Sequence, residues 1–152
     1  MPATPDPLNP LLLCNQLCFA LYSAQHAMTR VYRPLLEAMG LTYPQYLVML
    51  LLWEQDGRSV KALGEQLGLD SGTLTPLLKR MEAQDLLHRS RDPADERVVR
   101  VHLSDSGRAL KQQAACIPTQ VAAATGLSLT ELVTLREELK RLRAALDRSA
   151  NS

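Results

Sequence analysis

This sequence predicts a mainly α-helical fold with a small β-wing, a winged helix-turn-helix flanked by longer helices, on three observations. Apolar residues make up 46% of the 152-residue chain while aromatics contribute 4%, so a single domain's core must be built from Leu, Ala, Val and Met. Leucine-rich segments with few β-branched clusters run through most of the length and favour helix. Only the stretch after Asp85 changes character, with two short alternating or β-branched runs around a turn.

Taken in order, the opening "MPATPDPLN" lacks the basic segment of a signal peptide, and residues 1–9 read as a disordered lead-in. Asn9 can cap a helix with Pro10 at its first position, where the missing N–H costs nothing. That helix is expected to reach about Arg33, since Pro34 disfavours helical geometry before it, with a kinked extension ended by Gly40. Thr42 caps a second helix through "YPQYLVMLLLWEQDG", and Ser59 caps a short one, "VKALGEQLG". The polar "LDSG" opens another through "TLTPLLKRMEAQD". "LLHRSR" and "RVVRVHL", separated by "DPADE", make a hairpin. Ser104 begins "DSGRALKQQAACI", interrupted near Pro118. In the last helix, Ser128 and Glu131 have capping-box spacing. Its Leu132, Leu135, Leu139, Leu142 and Leu146 form the seam of a helix packed along another, either in this chain's own core or in a second copy.

The run from Ser59 to Leu103 gives short helix, tight turn, second helix and ribbon, the order of a DNA-reading module. In its second helix, Leu74, Leu77, Leu78 and Met81 share a core-facing side. The other side offers Ser71 and Gly72 at the helix start, then Thr73, Thr75, Pro76, Lys79 and Arg80. Free N–H groups at a helix start bind anions, hydroxyls reach phosphates or base edges, and the two cations supply charge. On the ribbon, Arg89, Arg91, Arg97 and Arg100 surround Asp92, Asp95 and Glu96. Asp95 is expected to brace Arg97 or Arg91, leaving at least one arginine for a narrow minor groove. Arg58–Lys111 holds ten basic and eight acidic residues, a surplus too small for promiscuous electrostatic binding and suited to two spaced half-sites.

Other classes are disfavoured. A net charge of +1 gives no global nucleic-acid or membrane signal. No apolar run reaches the roughly 18 residues of a membrane span, so no membrane partner and a cytoplasmic location are expected. Three cysteines are not a secreted disulfide framework, and Cys14, Cys18 and the distant His26 are too few for a metal site; neither metal nor cofactor is expected.

"DSGTLTPLLKRMEAQDLLHRSRDPADERVVRVHLSDSGRAL", above all "RDPADER", resembles the recognition helix and wing of the MarR family of winged-helix regulators. The resemblance spans roughly Leu8 to Leu146 and implies a homodimer on double-stranded operator DNA. It implies an N-terminal dimerisation and sensor segment over 10–40, a DNA-binding lobe over 41–103 and C-terminal dimerisation helices over 104–148. "NQLCFALYSA" and "YRPLLEAMGLTYPQYLVMLLLWE" resemble the branch that senses organic hydroperoxides, the OhrR type. By that resemblance Cys18 is the redox-sensing thiol, and Tyr32 and Tyr43 stabilise its thiolate from across the dimer. Cys116 is the candidate resolving cysteine; a low-molecular-weight thiol that caps Cys18 is the other route.

The residues alone do not choose between Cys14 and Cys18. Both fall on one face of the predicted helix with Leu11, Leu21, Met28 and Tyr32, buried or at an interface, and a buried cysteine is more often an inert filler than a reagent. Neither lies in that helix's first turn, and side chains four apart on a helix stand too far apart for a disulfide. The expected chemistry is oxidation of Cys18 to a sulfenic acid followed by release of the operator. The alternatives are a repressor of the same fold released by a non-covalent small ligand, and a thiol peroxidase rather than a regulator.

Overall fold

The computed structural model describes residues 6–152. The chain divides into two compact units, residues 1–115 and 116–152. Of the expected lead-in, residues 1–5 lie outside the described residues.

In the first unit, α1 spans Leu17–Glu37, α2 Tyr43–Glu54, α3 Val60–Leu67, α4 Ser71–Ala83 and α5 Asp105–Ala114. Between them lie β1 (Arg58–Ser59), β2 (Leu87–Arg91) and β3 (Val99–Leu103). Two expectations about α1 are corrected. It starts at Leu17 rather than Pro10, after a 3-10 turn over Leu13–Asn15. The Asn9 side chain accepts the Leu11 N–H at 3.0 Å, a local turn that competes with helix. Nor does Pro34 break α1 into two elements: the expected extension beyond it belongs to the same helix, which continues to Glu37. The buried Leu36 anchors that last turn, and its carbonyl accepts the N–H of Leu41.

The other starts follow cap chemistry. Thr42 and Gln45 form a reciprocal capping box with a proline in the first turn, while Ser59, Asp70 and Ser104 each accept an N–H from the residue three places on. The core lies where α2, α3 and α4 meet the sheet: Val48, Met49, Leu52, Leu63, Leu74, Leu78, Met81, Leu87 and Val101 are all buried. Each such side chain contributes about 1.5–3 kcal/mol through loss of apolar surface to water.

The sheet is antiparallel in the order β1-β3-β2, with His88 opposite His102 and Ser90 opposite Arg100. The sequence predicts a two-stranded ribbon; β1 is the addition, pairing Arg58 with Val101 and Ser59 with Arg100. Through β1 the wing is hydrogen-bonded to the segment that opens the helix-turn-helix.

In the second unit, α6 covers Ile117–Thr125 and α7 Leu129–Ala150. Pro118 sits in the first turn of α6 and so begins a helix rather than only interrupting one. Ser128 and Glu131 form the predicted capping box of α7. Leu135, Leu139 and Leu146 of its seam are exposed, and Leu132 and Leu142 are half-buried.

Candidate functional site

The reading helix α4 is fixed from behind and open in front. Leu74, Leu77, Leu78 and Met81 are buried, whereas Ser71, Gly72, Thr73, Pro76, Lys79 and Arg80 are exposed and Thr75 is half-buried. Among the described residues the side chains of Lys79 and Arg80 make no hydrogen bond or ion pair. The turn before α4 is tight because Gly64 leaves room for it: a Cβ there would stand 2.8 Å from the Leu69 carbonyl oxygen.

Three of the four wing arginines pair with a carboxylate, while Arg91 makes no ion pair among the described residues. Asp95 pairs with Arg97 at 3.0 Å, and Arg91 donates to the Glu96 carbonyl at 2.7 Å. Arg100 donates to Asp92 at 2.5 Å and to the Gly57 carbonyl at 3.0 Å, bracing the hairpin loop against the entry to β1. Arg89 meets Glu82 of α4 through both its backbone N–H and its guanidinium, which ties the reading helix to β2. Arg97 remains the outermost, with 91% of its side chain exposed, and the charge it carries is available despite its partner. Reciprocally, the Arg89 N–H and guanidinium hold the Glu82 carboxyl below its usual range. The Ala94 N–H and Arg100 do the same for Asp92, and the Arg97 guanidinium and N–H for Asp95. Sequence spacing suggested the Asp95 pairing; it missed those of Glu82 and Asp92, which join residues seven or eight apart across a turn.

Cys18 is the second residue of α1, exposed, and inside the helix's first turn. That corrects the expectation that no thiol occupies a first turn, where unpaired N–H groups favour negative charge. Cys14 lies outside the α-helix, in the 3-10 turn, and is also exposed rather than buried. Cys116 stands at the N-cap of α6.

Tyr32 and Tyr43 come together, with ring centres 5.1 Å apart. Tyr46 completes the cluster at 6.0 Å from Tyr32 and 6.4 Å from Tyr43. Sequence reasoning passed over Tyr46, although its position three after Tyr43 in "YPQY" puts both on one helical face. Burial, then the neighbouring Tyr43 and Tyr46, push the Tyr32 phenol above its ordinary value, so it is a protonated donor at neutral pH. Among the described residues no hydrogen bond engages any of the three hydroxyls. Fourteen residues of α1 separate Cys18 from Tyr32, about 21 Å along the axis. Within one chain, then, thiol and phenols do not meet.

A separate 730 Å³ cavity opens between the starts of α2 and α4, lined by Thr42, Gln45, Thr73, Leu77, Arg80 and Gln84 among others.

Residues 30–114, the end of α1 through α5, match the family described as transcriptional regulator SarA/Rot. The chain belongs to this family of transcriptional regulators. It is a MarR-type winged-helix protein of the OhrR kind. It is 51% identical to the organic hydroperoxide resistance transcriptional regulator of Bacillus subtilis over 132 residues, 87% of this chain and 85% of that one. It is equally 51% identical to the regulator TtmR of Methylorubrum extorquens over 144 residues, 95% of this chain and 74% of the relative. Among solved structures, reduced AbfR bound to DNA superposes with a TM-score of 0.73 at 34% identity, over 88% of this chain and 94% of that one. AbfR, a Staphylococcus epidermidis protein, is also solved with a disulfide formed, at a TM-score of 0.62 and 31% identity over 92% and 93% of the two chains. Both sequence relatives are transcriptional regulators. No helix among the described residues is long and apolar enough to cross a membrane.

Proposed function

We propose that this protein is a cytoplasmic, dimeric repressor that binds operator DNA through α4 and the wing, and releases it when an organic hydroperoxide oxidises Cys18. The observation that carries the reading is the separation just described: an exposed thiol at the head of α1, and unengaged phenols of Tyr32 and Tyr43 about 21 Å away. A pairing of thiolate with phenol donors therefore takes two copies of the chain. A dimer in which each copy supplies what the other lacks makes the redox state of one thiol a property of the assembly. Likeness to a hydroperoxide resistance regulator supports the inducer class, and likeness to AbfR on DNA supports the operator. Ser71, Thr73, Thr75, Lys79 and Arg80 would read or grip the duplex, with Arg91 and Arg97 on the wing and Asp95 holding Arg97 in place. Another cysteine of the chain or a small cellular thiol would resolve the oxidised Cys18.

The 730 Å³ cavity favours a second reading. Its mixture of apolar walls and the Arg80 cation suits a small aromatic or carboxylate ligand that would release DNA without oxidation. Cys18→Ser separates the two by fluorescence anisotropy on labelled operator. Under the first reading the variant binds as wild type does and ignores tert-butyl hydroperoxide. Peroxide-driven release that survives the substitution overturns it.

A further inference from the structure

We propose that Cys14 resolves Cys18 within the same subunit, closing a disulfide across the start of α1. This inference rests on the reading of Cys18 as the peroxide-reactive thiol and adds where its oxidation ends.

A continuous helix would argue against the bond, because side chains four apart then project in parallel with Cβ atoms about 5–6 Å apart, against about 3.8 Å for a disulfide. That geometry does not apply here. Cys14 belongs to the 3-10 turn Leu13–Asn15, Cys18 to the first turn of α1, and between them Gln16 is extended at φ −84, ψ 118. The two thiols are thus carried by different elements joined at a bend. The Asn15 and Gln16 N–H groups, bonded to Leu12 and Leu13 at 3.0 and 3.1 Å, define the turn, and so short a 3-10 segment rearranges readily.

Both cysteines are exposed, and the contact made by the Cys14 thiol is a long one, 3.7 Å to Asn15 Oδ1. The turn is nevertheless tethered. The Asn15 amide donates to the carbonyls of Asp6 and Asn9, and the Gln16 amide to those of Pro10 and Leu12. These bonds fold the preceding segment back onto Asn15 and Gln16, the two residues that lead from Cys14 toward Cys18. With three residues between the thiols, closure costs little chain entropy and outcompetes a diffusing thiol.

The chemistry balances. The Cys18 thiolate attacks the terminal oxygen of the hydroperoxide, the O–O bond breaks, and the alkoxide takes a proton and leaves as the alcohol. Sulfur has lost two electrons and carries the hydroxyl as a sulfenic acid. The Cys14 sulfur then attacks the Cys18 sulfur, the S–O bond breaks, and hydroxide leaves with the Cys14 proton as water. Two thiols and a hydroperoxide give a disulfide, an alcohol and water. The cross-link pulls Gln16 and the first turn of α1 out of their present geometry, and a thiol reductant reverses it.

The first Lys or Arg in the chain is Arg30, so both cysteines fall in one tryptic peptide. Full-length protein is treated with tert-butyl hydroperoxide, with and without dimedone to trap sulfenic acid, quenched with N-ethylmaleimide, and read by peptide mass and non-reducing gel. Wild type and Cys116→Ser should both lose two hydrogens from that peptide, with no dimer-sized band and full recovery on reduction. Cys14→Ser should instead accumulate the dimedone adduct on Cys18. Wild type trapping dimedone as fast and as fully as Cys14→Ser overturns the proposal, as does a dimer band that disappears in Cys116→Ser; either leaves Cys18 standing as the sensor. An unmodified Cys18 in every variant refutes the sensor reading itself, and this inference with it.

Discussion

Cys18 is the one cysteine that lies inside an α-helix, in the first turn of α1, while Cys14 sits in the preceding 3-10 turn and Cys116 at the N-cap of α6. An exposed thiol at a helix start, with a Tyr32 phenol kept protonated by burial and by the neighbouring Tyr43 and Tyr46, is an arrangement that suits a reactive cysteine. A hydrogen bond to a charged group is worth about 1.5–3 kcal/mol. Tyr43→Phe should therefore slow dimedone-trapped oxidation of Cys18 about tenfold or more while the circular dichroism spectrum stays unchanged; an unaltered rate would remove Tyr43 from the site. Away from the thiol, the residue with least freedom is Gly107. A Cβ there would lie 2.1 Å from the Leu86 carbonyl oxygen, and the Gly107 carbonyl accepts the Trp53 indole N–H at 2.9 Å. Gly107→Ala should lower the unfolding free energy by roughly 3 kcal/mol or more in urea titration, without touching DNA directly.

At the scale of elements, the wing is held by carboxylates. Glu82 ties β2 to α4, Asp92 ties the hairpin loop to Arg100, and Arg100 in turn holds the Gly57 carbonyl. Arg100→Ala should weaken operator binding by loosening the wing while leaving α4 folded, which amide exchange of the two elements would show separately. Because Glu82, Asp92 and Asp95 are all depressed in the fold, their contribution is fully present above the ordinary carboxylate range, about pH 4, and is lost as pH falls through their lowered values. Unfolding midpoints followed downward from pH 7 should hold steady and then drop below about pH 4; loss beginning well above that range would show that these carboxylates do not set the acid limit. Most of these elements were legible in the sequence, since caps are local chemistry: Thr42, Ser59, Ser104 and Ser128 each accept the N–H three residues on and start a helix at the next residue. What was not legible depends on competing local turns or on distant partners. The start of α1 moved because the Asn9 side chain closes its own turn and Gln16 takes over as the cap. Two-residue β1 has no period to detect and exists through its pairing with β3.

For the whole molecule, the sequence predicted the family and the reading head, but not where the thiol's donors would fall. Exposed Leu135, Leu139 and Leu146 on α7, and exposed Leu17, Phe19 and Tyr22 on α1, are apolar surface of the kind a second copy covers. Leu139→Glu should shift sedimentation from dimer toward monomer and reduce operator affinity with it, since both half-sites must be held at once; a variant that still sediments as a dimer would place the interface elsewhere. The central claim is that one thiol's oxidation state decides whether DNA is held. It is tested most directly by measuring, in the same samples, the fraction of operator released and the fraction of Cys18 oxidised as an organic hydroperoxide is titrated in. The two fractions should rise together and fall together on reduction. Release while Cys18 remains reduced, or full oxidation with the operator still bound, would contradict it.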